Sequence, residues 1–120
     1  VQRQPQRYDA DLLSLARHLE RCGQAPAAER LLETACTSQD PDVALTLARL
    51  KRRRGAWPEA VRIWEQLATE GEISALVELA KYQEHQRANL AEALAYAERL
   101  PETDAHAHRR ARLRRRLALR

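Results

Sequence analysis

The sequence predicts an all-α chain, an α-solenoid of three helix hairpins followed by a C-terminal capping helix. Three observations predict it. Ala, Leu, Glu and Arg dominate the composition, Phe and Met are absent, and only three Gly occur in 120 residues, so propensity leans to helix. The chain is self-similar at a step of 32 residues, a length that suits one helix-turn-helix unit. Proline and capping residues fall at the boundaries that this step implies.

Shifted by 32 residues, Leu15-Ala16 falls on Leu47-Ala48, Gly23 on Gly55, Ala28 on Ala60, Leu32 on Trp64 and Ala35 on Leu67. A second step of 32 puts Leu47-Ala48 on Leu79-Ala80, and one inserted residue then brings Glu59-Ala60 onto Glu92-Ala93. The insertion belongs in the turn Gln86-Arg87-Ala88-Asn89, where the first two units carry Gly. Ala16, Ala48 and Ala80 take a small position in the first helices, and Ala28, Ala60 and Ala93 take one in the second. This pattern resembles the tetratricopeptide repeat (TPR) over about residues 9–101, with Leu in most of the aromatic positions. The resemblance implies stacked hairpins, each burying a face of its neighbour.

The elements follow in order. A flexible N-terminal lead-in occupies 1–8, and a helical domain covers 9–120, with repeats at about 9–40, 41–71 and 72–101. Helices are expected near 9–22, 26–37, 41–54, 58–69, 72–86 and 90–99. Pro26, Pro41 and Pro58 stand where helices begin, since a missing N–H costs nothing there. Asp40 is the N-cap before Pro41, and Asn89 with Glu92 has capping-box spacing. After Pro101-Glu102-Thr103 a last helix spans about 104–118, its thin apolar seam formed by His106, Arg110, Leu113 and Leu117. A polar outer face suits a solenoid cap. The chain begins at Val1 without Met, and it is expected to be a piece of a longer protein.

No apolar run approaches the roughly 20 residues that span a bilayer, and nothing resembles a signal peptide. A membrane partner is not expected, and the cytoplasm is the expected location. Net charge is +4, unevenly placed: residues 105–120 hold seven Arg and no acid, while 1–104 hold 14 Lys and Arg against 17 acids. Arg supplies 19 of the 21 cations. A GC-rich genome gives the same skew, so Arg abundance alone does not argue for phosphate binding.

Leu79-Ala80-Lys81-Tyr82-Gln83-Glu84-His85, followed by Asn89 and Ala93-Leu94, forms one distinctive string. The Arg-rich run from His108 to Leu117 forms another. Both resemble the C-terminal helical region of bacterial ribonuclease-H-like, exonuclease-type proteins, in which TPR-like repeats follow a nuclease-like domain. Gln83 replaces an aromatic often found in that family. The resemblance implies an appended module; the family's metal-binding acids belong upstream, and none maps onto this chain.

The residues themselves nominate no catalytic group. Two-metal chemistry needs converging carboxylates, and the 17 acids read as scattered, mostly solvated helix faces. His18 and Cys22 have a metal-compatible spacing, but with Cys36 they supply only three ligands. No metal or cofactor is expected, and the two thiols read as small buried residues. First helices line the concave side of such a stack. The groove candidates are therefore Arg17, Arg21, Arg49, Arg52, Arg53, Lys81, Glu84 and His85. Arg109, Arg112, Arg115 and Arg116 are candidates on the terminal helix. Glu84-His85 reads either as a tie holding the turn at 86–89 or as a ligand contact, and the Arg-rich helix either as a cap or as a binding element. The expected function is a non-catalytic binding or scaffolding module, an accessory domain of a ribonuclease-H-like nuclease offering basic surface to a nucleic-acid backbone or to its own upstream domain. The alternative is an adaptor that grips an acidic peptide of a protein partner.

Overall fold

A computed structural model describes residues 5–35 and 40–119. It contains seven α-helices and no strand among those residues: α1 Pro5–Arg21, α2 Ala25–Thr34, α3 Pro41–Arg53, α4 Trp57–Thr69, α5 Ile73–His85, α6 Leu90–Glu98 and α7 Asp104–Ala118. No helix among the described residues is long and apolar enough to cross a membrane.

The caps set the boundaries. The Asp40 carboxylate accepts from the Asp42 N–H at 2.9 Å, Asn89 Oδ1 accepts from Glu92 at 3.1 Å, and Thr103 Oγ1 accepts from His106 at 3.3 Å. Each satisfies a donor that the first turn leaves open. The first helix starts earlier than the sequence suggests, at Pro5, inside the expected lead-in; proline is well suited to a first helical position. Residues 1–4 lie outside the described residues. The second helix stops at Thr34, short of the expected 37, where the Thr34 hydroxyl donates back to the Leu31 carbonyl at 2.6 Å. Residues 36–39, Cys36 among them, also lie outside the described residues. Cys22 corrects the expectation of a buried thiol. It is exposed, one residue beyond α1, and its sulfur lies 3.7 Å from His18 Nε2.

Three helices end in the same way. After α1, Gln24 N–H donates to Leu19 and Gly23 to Glu20; after α3, Ala56 donates to Lys51 and Gly55 to Arg52; after α4, Glu72 donates to Leu67 and Gly71 to Ala68. These are Schellman closures, in which the residue after the C-cap turns left-handed. Gly23, Gly55 and Gly71 accordingly have φ of 77°, 84° and 81°. The turn after α5 carries the extra residue seen in the repeat register. Asn89 N–H there reaches back to the Gln83 carbonyl, and Ala88 takes the left-handed place with φ of 52°.

The chain divides into two compact units, Val1–Ile63 and Trp64–Arg120, with α4 contributing its first half to one and its second half to the other. In the first, α1 packs on α2 and both meet α3. Leu12, Leu13, Ala16, Ala28, Leu32, Val43, Leu47 and Leu50 form its core, with Leu19, Leu31 and Ile63 packed against it. In the second, α6 lies against both α5 and α7. Its buried residues include Trp64, Leu79, Ala93, Ala97 and Leu113, the last fully buried. The six small positions named by the register, Ala16, Ala48, Ala80, Ala28, Ala60 and Ala93, are all exposed by 1% or less. Small size at these points therefore matches full enclosure, and added methylenes have no room.

An L-residue held left-handed is strained, by roughly 1–2 kcal/mol. Ala88→Gly relieves that strain against a smaller entropic cost. Its unfolding midpoint in urea should rise by the equivalent of about 0.5–1 kcal/mol, whereas Gly55→Ala should lower it. A lower midpoint for Ala88→Gly would show that the turn holds Ala88 without strain.

Candidate functional site

The C-terminal turn of α3 carries four consecutive cations, Lys51 to Arg54, beside acids from α2 and α4. Lys51 turns inward. Its side chain is only 8% exposed, and Nζ donates to Glu29 at 3.1 Å, Glu33 at 2.7 Å and Glu59 at 2.6 Å. Arg54 closes over the same group, its Nε and Nη2 meeting Glu29 at 2.9 and 2.7 Å. An ammonium has three N–H donors and each finds one carboxylate, so the buried charge is fully satisfied. Burial works against the charged lysine, but the hydrogen bonds it donates to Glu33, Glu59 and Glu29 override it and raise the Lys51 pKa. The Glu29 carboxyl is held below its usual range, first by Arg54 and then by Lys51, and that of Glu59 chiefly by Lys51. These three carboxylates lie within 4.8 Å of one another, the one such trio among the described residues. The Lys51 ammonium is the cation they share.

Glu20, near the end of α1, receives two cations from α3. Arg49 donates in bidentate fashion, with both contacts at 2.9 Å, and Arg53 adds a third bond. The Glu20 carboxyl is lowered by the Arg49 hydrogen bonds, against burial, with Arg53 contributing its charge. Glu84, near the end of α5, repeats the device. Its side chain is 1% exposed, and Arg112 and Arg116 of α7 both bond it, one Arg112 contact measuring 2.9 Å. Its carboxyl is lowered chiefly by Arg112, against burial. His85 lies 3.5 Å from the same carboxylate. In both clamps two arginines four residues apart on one helix hold a glutamate from another, a geometry that suits the planar fork of guanidinium.

Arg110, on the inner side of α7, is 5% exposed. It donates to the Ala97 and Leu100 carbonyls at 3.1 and 3.3 Å and pairs with Glu102 at 2.9 Å. A cation here adds a donor to the Ala97 carbonyl, which also accepts from the Leu100 N–H, and to the carbonyl of Leu100 just past α6. The predicted seam of His106, Arg110, Leu113 and Leu117 is the inward face, with Leu113 and Arg110 buried and the other two half-buried.

The nominated residues therefore separate. Arg49, Arg53, Arg112 and Arg116 are engaged by internal glutamates, one carboxylate to each pair. Lys81 lies 3.7 Å from Glu78. Arg52 stands half-exposed in the last turn of α3. Arg17, Arg21 and Arg115 are exposed and have no ion-pair partner among the described residues; Arg109 is half-buried, with an Nε that finds no acceptor. Glu84 corrects an expectation. The turn at 86–89 is held by backbone bonds to Tyr82 and Gln83, while Glu84 binds α7 instead. Most of the described acids are exposed, as the sequence suggests, but Glu20, Glu29 and Glu84 are enclosed by cations. A signal for these pairs lies in the sequence: Arg49 and Arg53 follow Glu20 by 29 and 33 residues, and Arg112 and Arg116 follow Glu84 by 28 and 32.

Beside the Lys51 cluster the first unit has a cleft of about 630 Å³, lined by Glu20, Pro26, Arg30, Leu50, Arg53 and Arg54 among others. Its walls carry both signs of charge, and Glu20, Glu29, Arg53 and Arg54 among them are already paired with one another or with Lys51 and Arg49. No family model, curated protein or solved structure shows significant similarity to this chain.

Removing the shared cation leaves three facing carboxylates, of which Glu29 cannot easily regain water. Lys51→Met should destabilise the chain by about 3 kcal/mol, and adding Glu29→Leu should recover part of that loss. A melting temperature for Lys51→Met equal to wild type would show that the ammonium contributes nothing. Acid should dismantle both clamps. The lowered carboxyls of Glu20 and Glu84 contribute stability that is full above the unfolded glutamate pKa of about 4.3 and is lost as pH falls through their folded values. Urea midpoints between pH 7 and pH 3 should fall more steeply for wild type than for Glu84→Gln, which starts lower at pH 7. Parallel curves would remove Glu84 from the acid response.

Proposed function

We propose that this chain is a non-catalytic helical-repeat module of TPR-like hairpins that docks on protein. The observation carrying this reading is that four of its candidate phosphate contacts are engaged by internal glutamates. Arg49, Arg53, Arg112 and Arg116 would be the phosphate contacts of a nucleic-acid groove, yet each is bonded to Glu20 or Glu84. Withdrawing them to bind phosphate would strand a carboxylate at 16% or 1% side-chain exposure, a heavy penalty. The carboxylate trio that comes closest to a metal site is closed round Lys51. The enclosed small positions support stacked hairpins. As the resemblance of 79–85 and 108–117 implies, the module would belong to a ribonuclease-H-like protein. Both strings act as one physical unit, since Glu84 of the first is held by Arg112 and Arg116 of the second.

The test measures binding to single- and double-stranded RNA and DNA across a salt series, with cleavage followed in Mg²⁺ and Mn²⁺. Each neutralised phosphate adds about −0.7 to −0.9 to the slope of log K against log salt. With Arg17 and Arg21 of one unit or Arg109 and Arg115 of the other as the nominated arginines that no glutamate engages, the slope should be about −2 or shallower. A slope equivalent to six phosphates, or divalent-dependent cleavage by the purified chain, would falsify the protein-docking reading.

A further inference from the structure

The 32-residue register ties α1 to α3 position by position. It carries Leu15 onto Leu47, Arg17 onto Arg49 and Arg21 onto Arg53. In α3 these three residues seat the helix on the hairpin before it. Leu47 is buried in the core shared with α1 and α2, and Arg49 and Arg53 hold Glu20 of α1. In α1 the matching residues stand in the open. Leu15 is 48% exposed, against 9% for Leu47 and 0% for Leu79 at the corresponding points of α3 and α5. Arg17 and Arg21 are exposed and have no ion-pair partner among the described residues. Residues four apart share a helix face, so α1 presents to solvent the two-arginine device that α3 closes on Glu20.

We infer that the α1 face formed by Leu15, Arg17 and Arg21 docks a helix of a protein partner, whose glutamate, near the C-terminal end of that helix, is taken between the two arginines. The inference rests on the protein-docking reading above. The contact of α3 with α1 shows what such an occupant brings. Glu20 stands near the end of α1, and Ala16 and Leu13, one and two turns before it, lie in the same core as Leu47. A partner helix with that spacing meets Leu15 with its apolar residues and the arginines with its carboxylate. Charge selects among occupants. Within the chain Glu20, beside Arg17 and Arg21 on α1, is already engaged by Arg49 and Arg53. A second copy has its own clamp glutamates, Glu20 and Glu84, bonded in the same way, so it has neither to offer. A phosphate backbone meets the arginines but leaves Leu15 in water. The seat is also more polar than that of α3. Asp11 and His18, both exposed, replace the buried Val43 and Leu50, so the contact has a smaller apolar part and should be reversible.

The experiment uses the whole chain and a labelled synthetic hairpin, residues 9–35 with Cys22→Ser, in which the Glu20 carboxylate is unengaged. The control probe adds Glu20→Gln. The first probe should bind about tenfold more tightly than the control, and should shift the amide resonances of Leu15, Arg17 and Arg21. Arg17→Gln with Arg21→Gln in the whole chain should remove that preference at an unchanged melting temperature, since both side chains are exposed. Leu15→Gln should weaken both probes. Should the free hairpin not fold, a chain with residues 9–40 duplicated ahead of Asp9 presents it in cis. The added glutamate then precedes Arg17 by 29 residues and Arg21 by 33, as Glu20 precedes Arg49 and Arg53. Its change to Gln should lower the urea midpoint only while both arginines remain. The inference is overturned if neither form shows a contact that needs both the glutamate and the arginines, if the shifts fall on α3 instead of α1, or if the arginine variant melts lower than wild type. Self-association that the arginine variant abolishes would assign the face to a second copy, and an oligonucleotide bound there in place of the probe would assign it to phosphate; either overturns it. A shallow salt slope with no probe binding sinks only this inference, while a steep slope sinks the reading beneath it.

Discussion

A carboxylate stripped of water is tolerable only when donors and opposite charge replace its lost hydration. Glu84 is in that position, with its side chain 1% exposed, and the geometry of α7 follows from it. Two guanidinium groups one turn apart must reach the same carboxylate, which fixes the rotation of α7 about its axis. That rotation in turn directs Leu113 and Arg110 inward. Glu20 imposes the same condition on α3 through Arg49 and Arg53. In each unit an anion near the end of one helix orients the next helix to carry the arginine pair.

This arrangement changes the meaning of a basic composition. Net charge of +4 describes the chain as a solute, and long-range steering depends on it. Local binding depends on which cations are unengaged, and here several of the most suggestive ones complete the interior. The Arg-rich terminal helix shows the distinction within one element. Arg110 terminates α6, Arg112 and Arg116 hold Glu84, and Arg115 alone among these four faces solvent without a partner.

Helix positions and packing points were legible in the sequence because they depend on local rules. Asp40, Asn89 and the glycines act through their own backbone neighbourhood, and the alanines at 16, 48 and 80 declare themselves by repetition. Boundaries failed where two local signals competed: Pro5 opens a helix as readily as the later residues do, and Thr34 ends one by bonding its own turn. The candidate site was far less legible. Whether Arg49 or Arg17 is available depends on an acid about 30 residues away, and Glu20 looks no different from any solvated glutamate when read alone. The spacing of acid to arginine pair carried that information, but only across two repeats taken together. Lys51 was hidden for the opposite reason, since a run of four cations at a helix end has a sufficient local explanation in the helix dipole.

The choice of lysine at position 51 has a consequence of its own. Arginine fills 19 of the 21 cationic positions, so any substitution bias in this chain runs toward arginine. Lys51 stands against that drift because its three carboxylates converge from separate points on α2 and α4 onto one small volume. A compact ammonium can address three directions at once, whereas a guanidinium is a flat plate that serves partners lying in its plane. At position 51 the rare residue, more than the abundant one, marks where geometry has constrained the sequence. A lysine retained at the corresponding position of a related arginine-rich chain would therefore signal the same closed carboxylate cage.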